Sequence, residues 1–123
     1  MTGIATLRTI VLDCPEPREL ADFYTRLLGG RIVYNDDDWT TVEADGGVHV
    51  SFQRVPDHRP PTWPEGSRPQ QIHLDVTVED LDAAEQAVLE LGAVKHEHQP
   101  GGDGGGFRVF LDPAGHPFCL CVD

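Results

Sequence analysis

A chain of 123 residues is the size of one ordinary domain, and its 39% hydrophobic content supports a real core and argues against disorder. The formal net charge of −12 disfavours nucleic acid and anionic membranes, which are bound largely through Lys and Arg, and suits either a cationic ligand or plain solubility. No apolar run approaches the roughly 20 residues of a membrane span, the N-terminus lacks a basic-then-apolar leader, and three cysteines are too few, and odd in number, for a disulfide framework, so a cytoplasmic protein is expected.

The first predicted element is an apolar strand beginning at Thr9. Leu20, Phe23, Leu27 and Leu28 then recur at helical spacing, and Pro17 and Gly29 mark the ends of a helix over residues 17–28. Strands are predicted at 31–34, 39–44 and 48–55. Asp36-Asp37-Asp38 reads as a solvated turn, and Asp45-Gly46-Gly47 as a tight one. Residues 56–69 hold five prolines and read as a surface linker. Trp63 within it pins the linker or lids a ligand site, and pinning is favoured.

The pattern then repeats. A strand begins at His73; Asp80 suits an N-cap, and Leu81, Ala84, Val88 and Leu91 give a helix over 80–91. Strands follow at 94–97, 107–111 and 118–122. The glycine-rich loop 101–106 lacks the strand-before, helix-after setting of a phosphate loop. Asp112-Pro113-Ala114-Gly115 fits a type I turn joining the last two strands. Each half carries an acidic residue seven positions after its strand start, Glu16 or Asp80, and ends its helix at a Leu-Gly pair. The fold class is therefore α+β: tandem βαβββ units, with curved mixed sheets around a common cleft and helices outside. One domain over 1–123 is expected, with unit one at about 5–55, the linker at 56–69 and unit two at about 70–123.

Strand alternation sorts the faces. Ile72, Leu74, Val76 and Val78 should pack under the helix, leaving Gln71, His73, Asp75 and Thr77 toward the cleft. Val48, Val50 and Phe52 oppose His49, Ser51 and Gln53; Phe118, Leu120 and Val122 oppose Cys119 and Cys121. Trp39, Thr41 and Glu43 are assigned to the cleft, as are Arg108 and Phe110. Thr9 matches His73 through the repeat and takes its direction from it. The expected ligand-binding set is thus Thr9, Trp39, His49, Ser51, Gln53, His73, Arg108 and Cys119, with His73 the candidate catalytic base.

The stretches "LDCPEPRELADFYTRLLGG", "HLDVTVEDLDAAEQAVLELGA" and "LDPAGHPFCL" span nearly the whole chain. In them the chain resembles the vicinal oxygen chelate superfamily (the glyoxalase / bleomycin resistance protein / extradiol dioxygenase group), and above all its glyoxalase-like domain branch. Metal-dependent relatives take ligands from the first, fifth and eighth strands, which correspond to Thr9, His73 and Cys119. Only His73 matches: Thr9 offers a neutral hydroxyl, and Cys119 a soft thiol where relatives have a carboxylate. The resemblance therefore implies a homodimer that binds a small organic molecule beside a degenerate metal site, and the net charge of −12 and the cleft-facing Trp39 add that the molecule is cationic or aromatic in character. No cofactor is expected. A divalent metal, if held, would use His73 and Cys119 with a third group from His49, Gln53 or Cys121. The alternative is a lyase or isomerase using His73 as base or in an atypical metal site. A nucleophilic Cys119 would need a lowered thiol pKa. Cys119 and Cys121 are otherwise small, slightly polar core residues.

Overall fold

The computed structural model describes residues 3–122. Its elements run β1 (Ile10–Cys14), α1 (Pro17–Leu28), β2 (Arg31–Asn35), β3 (Trp39–Glu43), β4 (His49–Arg54), β5 (Leu74–Thr77), α2 (Leu81–Glu90), β6 (Val94–Lys95), β7 (Phe107–Leu111) and β8 (Pro117–Cys121). The chain divides into two compact units after His58, inside the proline-rich segment. The first unit holds a sheet of order β1-β4-β3-β2 with α1, the second a sheet of order β5-β8-β7-β6 with α2. In each, the first strand runs parallel to the last and the other pairings are antiparallel. The α+β, twice-repeated βαβββ pattern expected from sequence is therefore the architecture of both units.

Local chemistry sets the helix ends. Pro17 opens α1, where a missing N–H costs nothing, and Gly29 closes it at φ 75, a backbone region that favours glycine. A Cβ at position 29 would also lie 2.1 Å from the Asp45 carboxylate. Asp80 caps α2, its side chain accepting from the N–H groups of Asp82 and Ala83 at 2.9 and 3.2 Å. Glu16 stands at the same place before α1 but makes no such bond.

One face of each sheet packs on its helix. In the first unit Leu20, Phe23 and Tyr24 of α1 are buried with Val42, Val50 and Phe52 of the sheet, and the Tyr24 and Phe52 rings stack at 5.4 Å. In the second, Phe110 stacks on Phe118 at 5.9 Å, with Leu120 and Val88 also buried. Three residues assigned to these cores fall outside them: Val122 follows β8, is half-buried and lines the cavity beside Cys119 and Cys121, and the other two are Val48 and Ile72. Val48 and Ile72 precede β4 and β5 rather than starting them, and both are exposed.

A hydrogen-bonded turn follows β7, as expected. Gly115 N–H donates to the Asp112 carbonyl at 2.8 Å, and the buried Asp112 carboxylate accepts from the N–H groups of Ala114 and His116. Gly115 sits at φ 88, and a Cβ there would approach Cβ of Pro60 to 2.4 Å. Part of the proline-rich segment is tied to the second unit in this way. Thr62 N–H donates to the Arg68 carbonyl at 2.7 Å, and Trp63 packs against the imidazoles of His96 and His98 at 5.1 and 5.3 Å.

Candidate functional site

The internal repeat can be read residue by residue from strand register. Val11 faces Ser51 and Thr41 faces Ser51 in the first sheet; Asp75 faces Cys119 and Val109 faces Cys119 in the second. Ser51 is thus the counterpart of Cys119, Thr41 of Val109, Val11 of Asp75, and Thr9 of His73. One scaffold presents two different chemistries on its helix-free faces.

In the first unit that chemistry is hydroxylic. Trp39 Nε1–H donates to Thr41 Oγ at 2.9 Å, and the hydroxyls of Thr41 and Thr9 each lie 2.8 Å from that of the fully buried Ser51. Ser51 has a single proton, so at least one threonine donates to it. Thr9, Trp39, Thr41, His49 and Ser51 line a hollow of about 460 Å³ together with Arg8, Val33 and Tyr34. Trp39, His49 and Ser51, assigned by alternation, and Thr9, assigned through the repeat, are therefore brought together. Gln53 has the same parity but is exposed at the far end of β4 and does not line this hollow.

In the second unit the corresponding face lines a cavity of about 610 Å³. Its walls are mainly apolar (Trp63, Phe107, Val109, Pro117 and Val122), and its polar groups are Gln70, His73, Asp75 and the two thiols Cys119 and Cys121. His73 Nε2 lies 3.1 Å from Asp75 Oδ1. Asp75 was placed on this face by alternation yet not counted as a site residue, although a carboxylate two positions from His73 on one strand face is the signal that finds it. Trp63 both meets the imidazoles and forms cavity wall, so pinning and lining are one role. The Oε1 atom of Gln70 is buried with no hydrogen-bond partner among the described residues.

Arg108 corrects an expectation. Its guanidinium turns to the opposite face, bonding Asp82 at 2.8 Å and Glu85 at 3.1 Å on α2. Phe110, assigned to the cleft with it, is fully buried against Phe118. Register explains the reversal. Val109 lies opposite the cavity-lining Cys119, so its neighbours Arg108 and Phe110 must point to the helix side. A charged residue beneath a helix is tolerated here because two acidic side chains of α2 meet it.

Cys119 is buried, at 7% exposure. Burial first, then the charge of Asp75 and a hydrogen bond to it, push its thiol up to about 12. Cys121 is raised by the same burial and the same carboxylate. A nucleophile needs the reverse shift, so the environment opposes covalent catalysis by Cys119.

The donors at the positions matching Thr9, His73 and Cys119 do not fit a hard divalent ion. The Thr9 hydroxyl is neutral and already bonded to Ser51, and the eighth-strand position offers sulfur. Among the described residues one group of three could hold a metal: His73, Asp75 and Cys119, whose donor atoms all lie within 4.8 Å of one another.

Comparison with known proteins gives a consistent result. The family described as "Glyoxalase-like domain" matches residues 9–121. The genomically encoded fosfomycin resistance protein FosX from Listeria monocytogenes superposes with TM-score 0.72 at 16% identity, covering 98% of this chain and 95% of that one. A glyoxalase/bleomycin resistance protein/dioxygenase family enzyme from Burkholderia phytofirmans gives 0.71 at 14% identity, covering 96% and 98%. A bleomycin-binding protein in complex with bleomycin gives 0.61 at 19% identity, covering 97% and 99%. No curated protein sequence matches significantly.

Proposed function

The chain belongs to the glyoxalase-like domain family, and on that premise we propose that it binds a small organic cation with an aromatic or apolar body in the cavity of its second unit. The observation that carries this reading is the lining. Aromatic and aliphatic walls enclose a volume in the range of drug-sized ligands, while the polar groups include acceptors, namely the Asp75 carboxylate and the unpaired Gln70 Oε1. An unpaired buried acceptor costs about 1–3 kcal/mol, so a ligand N–H that reaches it gains what the empty pocket lacks. The net charge of −12 favours the approach of a cation. The likeness in fold to a bleomycin-binding protein supports binding as a role that this architecture can serve. The hard-metal site of metal-dependent relatives is degenerate in this reading.

A second reading, a lyase or isomerase with His73 as base, is favoured by one contact. Asp75 Oδ1 lies 3.1 Å from His73 Nε2 and would orient the imidazole. Thr9, Trp39, His49 and Ser51 line a separate hollow of the first unit, proposed as a second small-molecule site, and homodimers in a reducing, cytoplasmic compartment complete the proposal. All three cysteines are unbridged, as such a compartment would leave them.

A thermal-shift screen of aromatic amines and amidines, followed by calorimetry, tests the binding role. Asp75→Asn should weaken a cationic hit by roughly fivefold, the worth of a half-exposed ion pair, and leave neutral analogues unaffected. A cation that binds Asp75→Asn and the parent equally would refute the charge assignment.

A further inference from the structure

We propose that His73, Asp75 and Cys119 form a binding site for a borderline or soft divalent ion, of the zinc class, contained wholly in the second unit. This goes beyond the cavity reading and does not rest on it, because the ion needs no organic ligand. It also differs from the metal centre implied by resemblance: Asp75 replaces a first-strand ligand, and the site lies on two neighbouring strands of one sheet.

The sheet places the three donors. His73 and Asp75 are two apart and share a face, and Asp75 is the register partner of Cys119 across the parallel β5–β8 pair. His73 Nε2 and Asp75 Oδ1 are 3.1 Å apart, and no donor pair exceeds 4.8 Å. Tetrahedral zinc with bonds of about 2.0–2.3 Å needs donors separated by roughly 3.3–3.8 Å, so side-chain rotation alone could gather them. The side chains of His73 and Asp75 are 42% and 63% exposed, which gives the ion an entry path and leaves its fourth position facing the cavity.

The donor set chooses the ion. One thiolate, one imidazole and one carboxylate suit Zn²⁺ or Co²⁺, whereas Mg²⁺ and Mn²⁺ prefer a shell of oxygens. Binding converts the Cys119 thiol to thiolate and releases its proton to solvent, so affinity rises with pH. The same carboxylate that holds the thiol protonated stabilises the bound cation. Because ion and organic cation both use Asp75, each excludes the other.

Chelator-treated protein titrated with Co²⁺ should develop a thiolate-to-cobalt charge-transfer band in the near ultraviolet that saturates at one ion per chain and is bleached by Zn²⁺. Zn²⁺ should raise the melting temperature, and Mg²⁺ should not. Cys119→Ser should abolish the band. Asp75→Asn and His73→Ala, at more exposed positions, should keep the fold by circular dichroism and weaken Zn²⁺ roughly tenfold or more. A missing band, a band lost in Cys121→Ser but kept in Cys119→Ser, or unchanged affinity in both exposed variants would each overturn the site. None of these outcomes bears on whether an organic cation binds, so the two readings fail separately.

Discussion

Burial and a neighbouring charge act on Cys119 in the same direction. A thiol held up at about 12 is almost wholly protonated at pH 8, so its alkylation should be slower than that of an exposed cysteine by roughly three orders of magnitude. Asp75→Asn should speed the reaction, because the charge and hydrogen-bond contributions go while desolvation stays. Peptide mapping after timed iodoacetamide treatment reads both rates; fast alkylation of the parent at Cys119 would contradict the assignment. The sign of the pH effect on stability follows. With the folded pKa above the unfolded one, the contribution of Cys119 is complete below the ordinary value of 9.0 and is lost as pH climbs from there toward about 12. The residues themselves were legible on their strand faces. The pairing of Asp75 with both His73 and Cys119 was not, because it depends on which strand lies beside β5.

At the scale of elements, β7 and α2 show what alternation can and cannot decide. A strand reading FRVFL has apolar residues of both parities, so its pattern does not say which face is inward. The register with β8 decides it and turns Arg108 toward Asp82 and Glu85. Arg108→Ala should therefore lower the melting temperature by unfastening β7 from α2, while leaving Co²⁺ titration and cation binding unchanged. Loss of ligand affinity at unchanged stability would restore Arg108 to the cavity. The helices were legible to within a residue or two because their signals are local: Pro17 and Asp80 at the starts, Gly29 and Gly92 past the ends. Val48 and Ile72 were misassigned for a different reason, since strand ends depend on where the partner strand stops.

The first unit leaves Ile4, Leu7, Val11, Val33 and Tyr34 exposed, much apolar surface for a chain of this size. Static light scattering at tens of micromolar should report a mass of twice 13.5 kDa. A monomeric mass across that range would remove the homodimer from the proposal. None of the helices among the described residues is long and apolar enough to cross a membrane.

The sequence by itself determined the βαβββ repeat, the helix positions, the turn at Asp112–Gly115 and the family, because each rests on local periodicity, caps and turn residues that act over a few positions. It also assigned Ser51, His73 and Cys119 to one face of their strands by alternation, and Thr9 by its match to His73 in the internal repeat. Only the tertiary structure decided that Ser51 ties together Thr9 and Thr41, that Arg108 serves the helix, and that Asp75 stands with His73 and Cys119. Each of those depends on strand order and register, which arise from pairing between different strands and leave no mark in the local pattern of either partner.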